Sequence, residues 1–265
     1  MGLNSFVKKM LLGRTLPVLK GSLKGVKLEI NDLIKGFVLL KDYEPDKQMA
    51  FNFFLKPNNI FFDVGANVGL HSYFVQKHCP TVSIYAFEPF PDNAAYIRQT
   101  ISENNFQNIK LTQAAVSSEA GETFFDTGTD NSTGKITDAE SGIKVKLITL
   151  DDFTQKNNIF PDLLKIDVEG AEGQVLDGSV NLIENHKPCW IIELHSPKQD
   201  LYVASFLTER GYVLYRLNEA AKTPDDKLFL TIKNLNSPWP DPDGVFGSII
   251  AVHKDRVGEF PEFDF

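Results

Sequence analysis

Ile60-Phe61-Phe62-Asp63-Val64-Gly65-Ala66-Asn67-Val68-Gly69, followed at once by Leu70-His71-Ser72-Tyr73-Phe74, is the stretch whose reading decides the fold. A short apolar run ends in a glycine-spaced turn, and a helical apolar spacing then begins at Leu70, Phe74 and Val75. This predicts a strand, a nucleotide loop and a helix. Gly65 and Gly69 carry no Cβ, so the backbone is free to turn sharply and to bring its N–H groups to a ligand at the positive end of the helix. A second apolar run, Val82 to Phe87, ends in Glu88, which lies 88 − 69 = 19 residues beyond Gly69. A carboxylate at the tip of the second strand, roughly 20 residues on, grips the ribose hydroxyls in dinucleotide folds. Loop and carboxylate together predict one cofactor site.

The spacing Asp-x-Gly-x-Asn-x-Gly departs from the dehydrogenase fingerprint. Asn67 replaces the middle glycine that admits a pyrophosphate, and Asp63 puts an acid at the strand end. A pyrophosphate gains nothing from a carboxylate, whereas a cofactor with an amino acid and a sulfonium cation does.

The bulk properties narrow the class. A chain of 265 residues with 42% hydrophobic content is long enough for one large α/β domain with an appendage. A net charge of −8 and a pI of about 5.2 argue against a long nucleic-acid footprint, which needs clustered lysine and arginine. Cys79 and Cys189 have no metal-ligand spacing and fit a reducing compartment, and no apolar run approaches the roughly 18 residues of a membrane span. The expectation is a cytoplasmic protein.

Residues 1–55 differ from the rest, with Lys8, Lys9, Arg14, Lys20, Lys24, Lys27 and Lys35 outnumbering Glu29 and Asp32. Phe6, Met10 and Leu11 lie at helical spacing. The segment reads as a solvated helix packed on the domain, with peripheral contact to an anionic membrane as the competing reading. Leu28–Ile30, Phe37–Leu40 and Met49–Leu55 predict short strands, or a strand and a helix, covering one edge of the sheet.

Further along, Asn93–Asn104 predicts a helix and Ile109–Val116 a third strand. Glu122–Phe125 and Val145–Ile148 are expected to pair as a hairpin. The fourth strand, Leu163–Glu169, and the fifth, Trp190–His195, each carry two polar groups at i and i+2: Asp167 with Glu169, and Glu193 with His195. Strand alternation puts each pair on one face, and open α/β sheets bind ligands at the carboxyl ends of their strands. These four groups are candidates to converge beside the cofactor; solvated or helix-capping acids are the structural alternative. Gly211–Leu217 and Gly247–His253 predict the last two strands. Between them, residues 220–246 form an insertion in which Trp239 and Phe246, among Pro224, Pro238, Pro240 and Pro242, either stack on a sugar ring or pack into the core.

Asp63-Val64-Gly65-Ala66-Asn67-Val68-Gly69, Phe87-Glu88-Pro89, Ala114-Ala115-Val116-Ser117 and Lys165-Ile166-Asp167-Val168-Glu169-Gly170-Ala171-Glu172 together resemble the FkbM family of S-adenosylmethionine-dependent methyltransferases, from about Ile60 to Leu217. The resemblance implies a class I methyltransferase fold: a Rossmann-like, doubly wound seven-stranded sheet with the last strand antiparallel. Here it would occupy residues 56–265, with residues 1–55 as an extension serving substrate binding or a lid. It implies methyl transfer to a hydroxyl of a sugar, glycoconjugate or natural product. It would put Asp63, Gly65, Asn67 and Gly69 at the methionine and ribose end, Glu88 on the ribose hydroxyls, Ala115 in the cofactor site and Asp167 by the sulfonium.

Asp167, Glu193 and His195 are then the catalytic candidates, with His195 the better-matched base at an unperturbed pKa of about 6.5. A divalent cation held by these three is the competing, less favoured reading. The expected partner is a small-molecule or glycan acceptor, with no nucleic acid. A nicotinamide oxidoreductase and a non-catalytic cofactor-binding module are the alternatives; the first is disfavoured by Asn67 and by the lack of a Tyr-x-x-x-Lys pair.

Overall fold

The computed structural model describes residues 12–31, 36–126, 135–137 and 142–260. The expected helix around Phe6, Met10 and Leu11 lies outside them. In chain order, a small antiparallel pair of strands, β1 (Thr15–Pro17) and β2 (Lys27–Glu29), is followed by a 3-10 turn at Gly36–Leu39 and helix α1 (Pro45–Phe54). The nucleotide-loop stretch gives β3 (Ile60–Val64) and α2 (Leu70–His78), and then come β4 (Ser83–Phe87), α3 (Pro91–Asn104) and β5 (Ile109–Thr112). The next elements are β6 (Ala115–Val116), β7 (Gly121–Asp126), β8 (Lys135–Thr137), β9 (Ile143–Ile148) and α4 (Leu150–Asn157). The chain continues through β10 (Leu163–Ile166), α5 (Glu172–Asp177), α6 (Val180–His186), β11 (Cys189–Glu193) and α7 (Pro197–Glu209), and closes with β12 (Tyr212–Leu217), β13 (Phe229–Thr231) and β14 (Ser248–His253).

The main sheet runs β5-β4-β3-β10-β11-β14-β12-β13. The strands from β5 to β11 are parallel, and β14 lies antiparallel between β11 and β12. This is the class I methyltransferase order with its reversed last strand. Strand β13, drawn from the 220–246 insertion, adds an eighth, edge strand to the expected seven.

The strand interiors are nearly continuous apolar runs because both faces are covered, as parallel sheets require. Alternation splits them: Phe61, Ile84, Leu163 and Ile191 enter one buried cluster, while Phe62, Tyr85, Leu164 and Trp190 enter the other. Each such side chain, taken fully out of water, contributes about 1.5–3 kcal/mol. The second cluster also takes Val175, Leu176, Leu182, Ile183, Val203 and Leu207 from α5, α6 and α7.

Three expectations need correction. The N-terminal segment covers a face of the sheet rather than an edge, since Leu28, Ile30, Phe51 and Phe54 belong to the same cluster as Phe61 and Ile191. Residues 36–39 form a 3-10 turn rather than a strand, while 45–54 take the helical alternative, since the run begins with Pro45 at the first helical position and buries Ala50, Phe51 and Phe54, a helical rather than an alternating pattern. The third strand breaks at Gln113–Ala114: Ile109–Thr112 stays in the main sheet, whereas Ala115–Val116 pairs with β9 in a second, four-stranded sheet. The expected hairpin pairing holds, with Glu122 opposite Lys146 and Thr123 opposite Val145.

Candidate active site

The turn after β3 is tight for reasons internal to the protein. Gly65 has a φ of 73°, and a Cβ placed on it would sit 1.8 Å from the Asp167 carbonyl oxygen; at Gly69, φ 85°, a Cβ would meet the Tyr73 ring at 2.7 Å. The missing side chains therefore make room for β10 and α2 rather than directly for a ligand. The Gly65 and Ala66 N–H groups both donate to the Phe87 carbonyl, and Gly69 N–H to that of Ala66. Asn67, in the left-handed region at φ 51°, donates its N–H to Glu88 Oε2 at 2.8 Å. A pyrophosphate would find these four donors already engaged.

Glu88 sits where the sequence places it, at the end of β4, and is 4% exposed. Its Oε1 accepts from Phe90 N–H at 2.9 Å and from the Asn93 side-chain amide at 3.3 Å. Burial lifts the Glu88 carboxyl to about 7, outweighing these donors. Asn93, on the first turns of α3 and 2% exposed, keeps an unpartnered Oδ1 beside it. Ala115, 7% exposed, opens β6 three residues beyond the end of β5, whose Thr112 carbonyl accepts the Glu88 N–H.

Parallel register brings the next charges together. Lys165 lies opposite Asp63, and its ammonium, 2% exposed, reaches the Gly65 carbonyl at 2.7 Å, Asp63 Oδ1 at 3.3 Å and Asp167 Oδ2 at 3.5 Å. Asp63 is fully buried and takes the Ser72 hydroxyl on Oδ2 at 2.7 Å, so it anchors the loop to α2 and β10 rather than facing a ligand. Burial opposes the charge on Lys165, but Asp63 and Asp167 override it and raise the ammonium pKa. Burial likewise opposes the charge on Asp167, and Lys165, Lys47 and His195 prevail, holding its carboxyl below the usual range.

The four strand-end groups do converge. His195 Nε2 lies 3.5 Å from Asp167 Oδ1, 3.7 Å from Glu169 Oε2 and 3.8 Å from Glu193 Oε1. The other ring nitrogen, Nδ1, sits 2.7 Å from Oε1 of Glu172, a fully buried carboxylate that also accepts the Gly170 N–H. This corrects the expectation of an unperturbed imidazole. Burial disfavours the cation, but the Glu172 hydrogen bond and the charges of Asp167 and Glu169 carry the His195 pKa up to about 9, which favours the protonated ring at neutral pH and weighs against its acting as the base.

Several participants have no part in the motif reading. Lys47, on α1 and 4% exposed, donates to Glu44 Oε2 at 2.7 Å and to Glu193 Oε2. Burial disfavours its charge, yet Glu44 and Glu193 raise its pKa, so it stays an ammonium. His71 Nε2 lies 3.1 Å from the same Glu44 oxygen. Nothing in local sequence marks Lys47, because its partner is 146 residues away. Glu172 and Lys165 were visible inside the Lys165–Glu172 stretch and had only their partners missing. Around the site the carboxylates of Glu44, Asp63, Asp167, Glu169, Glu172 and Glu193 outnumber the lysines Lys47 and Lys165, a local field that favours a cationic ligand.

In the 220–246 insertion, Trp239 is 57% exposed, while its backbone N–H donates to the buried Asp200 at 2.7 Å. Phe246 lies under the Arg216 guanidinium, 4.2 Å from its ring centre. Among the described residues no helix is long and apolar enough to cross a membrane.

Comparison with known proteins finds relatives among methyltransferases. A family model described as the methyltransferase FkbM domain matches residues 63–214, more than half of the chain. The hexuronic acid methyltransferase AglP of Haloferax volcanii is 28% identical, covering 57% of this chain and 62% of that protein. The 31-O-demethyl-FK506 methyltransferase FkbM of Streptomyces tacrolimicus is 29% identical, covering 47% of this chain and 60% of that protein. The chain thus spans about three fifths of the length of these two curated relatives. The crystal structure of a methyltransferase FkbM from Methylobacillus flagellatus superposes with a TM-score of 0.49 at 15% identity, covering 82% of this chain and 52% of that one. By its matched domain, its motifs and its sheet order, the chain belongs to the FkbM methyltransferase domain family.

Proposed function

We propose that this protein is an S-adenosylmethionine-dependent O-methyltransferase acting on a hydroxyl of a sugar, glycoconjugate or natural product. The observation that carries the cofactor assignment is the Glu88–Asn93 pair: a buried carboxylate beside a buried carbonyl oxygen with no donor, at the tip of β4. Two vicinal ribose hydroxyls supply donors for such a pair of acceptors. The acidic excess two strands away, around Asp167, fits a sulfonium and an ammonium group. The nicotinamide alternative is disfavoured by the engaged N–H groups of the loop.

When bound, the cofactor supplies an electrophilic methyl group, and the protein's task is chiefly positioning. Glu88 and Asn93 fix the ribose end. Asp167, pinned by Lys165, and Glu193, pinned by Lys47, each leave one carboxylate oxygen to orient the acceptor hydroxyl. Trp239, exposed on the 220–246 insertion, offers a face for a sugar or macrocycle. Both curated relatives carry acceptors of these classes in their names, a hexuronic acid and an FK506 precursor.

Titration calorimetry with S-adenosylhomocysteine and with NAD tests the assignment. Saturable binding of the first and none of the second is expected; the reverse overturns it.

A further inference from the structure

Asp167, Glu193 and His195 show a second layer of order. Each is held through one atom and presents another to a common point. Lys165 takes Asp167 Oδ2 at 3.5 Å, Lys47 takes Glu193 Oε2, and the buried Glu172 takes His195 Nδ1 at 2.7 Å. What remains is Asp167 Oδ1, Glu193 Oε1 and His195 Nε2, with Nε2 3.5 Å from the first and 3.8 Å from the second, and the three residues each bring a ligand atom within 4.8 Å of the others.

The imidazole nitrogen stands 3.5 and 3.8 Å from the two carboxylate oxygens, too far for strong direct hydrogen bonds. Adjacent ligands around a cation with bonds of about 2.1 Å are separated by about 3.0 Å, so side-chain closure by about 0.5–0.8 Å converts these gaps into a coordination site. A histidine whose far nitrogen is fixed by a carboxylate is the usual arrangement of a metal-ligating ring. The three side chains are 20–33% exposed, which leaves the outer positions open to water or an acceptor oxygen.

We propose that Asp167, Glu193 and His195 form a three-ligand site for a hard divalent cation such as Mn²⁺ or Mg²⁺, with Glu172, Lys165 and Lys47 as positioning residues. Two carboxylates with one imidazole suit such ions. The lysines sit on the oxygens turned away from the site. The cation takes the place of any proton on His195 Nε2.

Its catalytic role rests on the methyl-transfer reading. The ion binds the acceptor hydroxyl and lowers its pKa, so that the O–H proton passes to solvent. The oxygen then forms the new bond to the methyl carbon, and the sulfur keeps the electron pair of the bond that breaks.

The test needs no acceptor. Mn²⁺ is titrated into the full chain, and free Mn²⁺ is followed by its electron paramagnetic resonance signal, with circular dichroism confirming the fold of each variant. One saturable site is expected. Asp167→Asn and Glu193→Gln each should weaken it at least ten-fold, Glu172→Gln by roughly 10- to 100-fold, and the exposed Glu119→Gln not at all. His195→Ala serves if either acid variant fails to fold. No saturable binding, or binding untouched by these ligand changes, overturns the site; unchanged affinity in Glu172→Gln overturns its positioning role. S-adenosylhomocysteine calorimetry on metal-free protein reports separately on the methyltransferase reading, so the two fail independently.

Discussion

Replacing Glu88 by Gln separates the cost of a buried charge from its use. Burial raises the Glu88 carboxyl from its ordinary 4.5 to about 7, despite the N–H groups of Phe90 and Asn67 that favour the anion. Below pH 4.5 the group is protonated folded and unfolded alike. Between 4.5 and 7 the folded protein keeps a proton that the unfolded chain releases, so the stability this group contributes falls as pH rises, and above 7 the full penalty remains. A shift of that size corresponds to roughly 3 kcal/mol at 1.36 kcal/mol per unit. Glutamine carries no such dependence. It does turn an amide N–H₂ toward a backbone N–H, a conflict that costs about 1–3 kcal/mol at every pH. The informative quantity is therefore the difference between variant and wild type, which moves by roughly 3 kcal/mol in favour of Gln between pH 4.5 and 8 in urea unfolding. S-adenosylhomocysteine affinity behaves oppositely: in the wild type it rises as pH passes 7 and the carboxylate forms, and in Glu88→Gln it is weaker by roughly ten-fold or more and flat with pH. Stability curves that run parallel, with equal affinities, would refute both the buried-charge account and the ribose assignment.

Three further outcomes follow from the geometry. Gly65→Ala puts a methyl group 1.8 Å from the Asp167 carbonyl at a φ of 73° and should cost several kcal/mol, seen as a large fall in Tm; a melt within 2 °C of wild type, about the noise of small surface changes, counts against the close approach. Lys165→Met leaves the buried Asp63 and the part-buried Asp167 without their cation and should cost about 3–5 kcal/mol in urea unfolding, whereas a near-neutral change would show that the two acids do not depend on it. Trp239→Ala should raise the acceptor KM with S-adenosylhomocysteine affinity unchanged; an earlier melt with the KM intact would make the loop purely structural.

The sheet was legible because its signals are local. Ile60–Val64, Ser83–Phe87, Leu163–Ile166 and Cys189–Glu193 are apolar runs bounded by turn residues, and such runs say strand whatever they pack against. The break at Gln113–Ala114 was not legible, since Ile109–Val116 is equally apolar on both sides of it and only pairing decides that Ala115 joins β9. The helix at Pro45–Phe54 stayed an open alternative for a related reason: its aromatic residues suit a strand by propensity, and burial against Phe61 and Phe74 decides for the helix.

The site divides in the same way. Glu88, Asp167, Glu193 and His195 were found by position, at the carboxyl ends of strands, but their protonation was not, because a pKa is set by neighbours in space. His195 illustrates this: residue type alone suggests a base, and the buried Glu172, 23 residues earlier, raises its pKa and favours the imidazolium. Asp63 shows the converse. Its place in the motif suggests ligand contact, and parallel register with Lys165 turns it inward as the counter-ion of a buried ammonium. Lys47 goes furthest, for it lies before the matched region, on a helix of the N-terminal segment, yet its ammonium fixes Glu193 at the heart of the strand-end cluster. Any change that lifts α1 from the sheet face therefore releases Glu193 Oε2 and alters the charge seen by whatever binds there, which couples the least recognisable part of the chain to its chemistry.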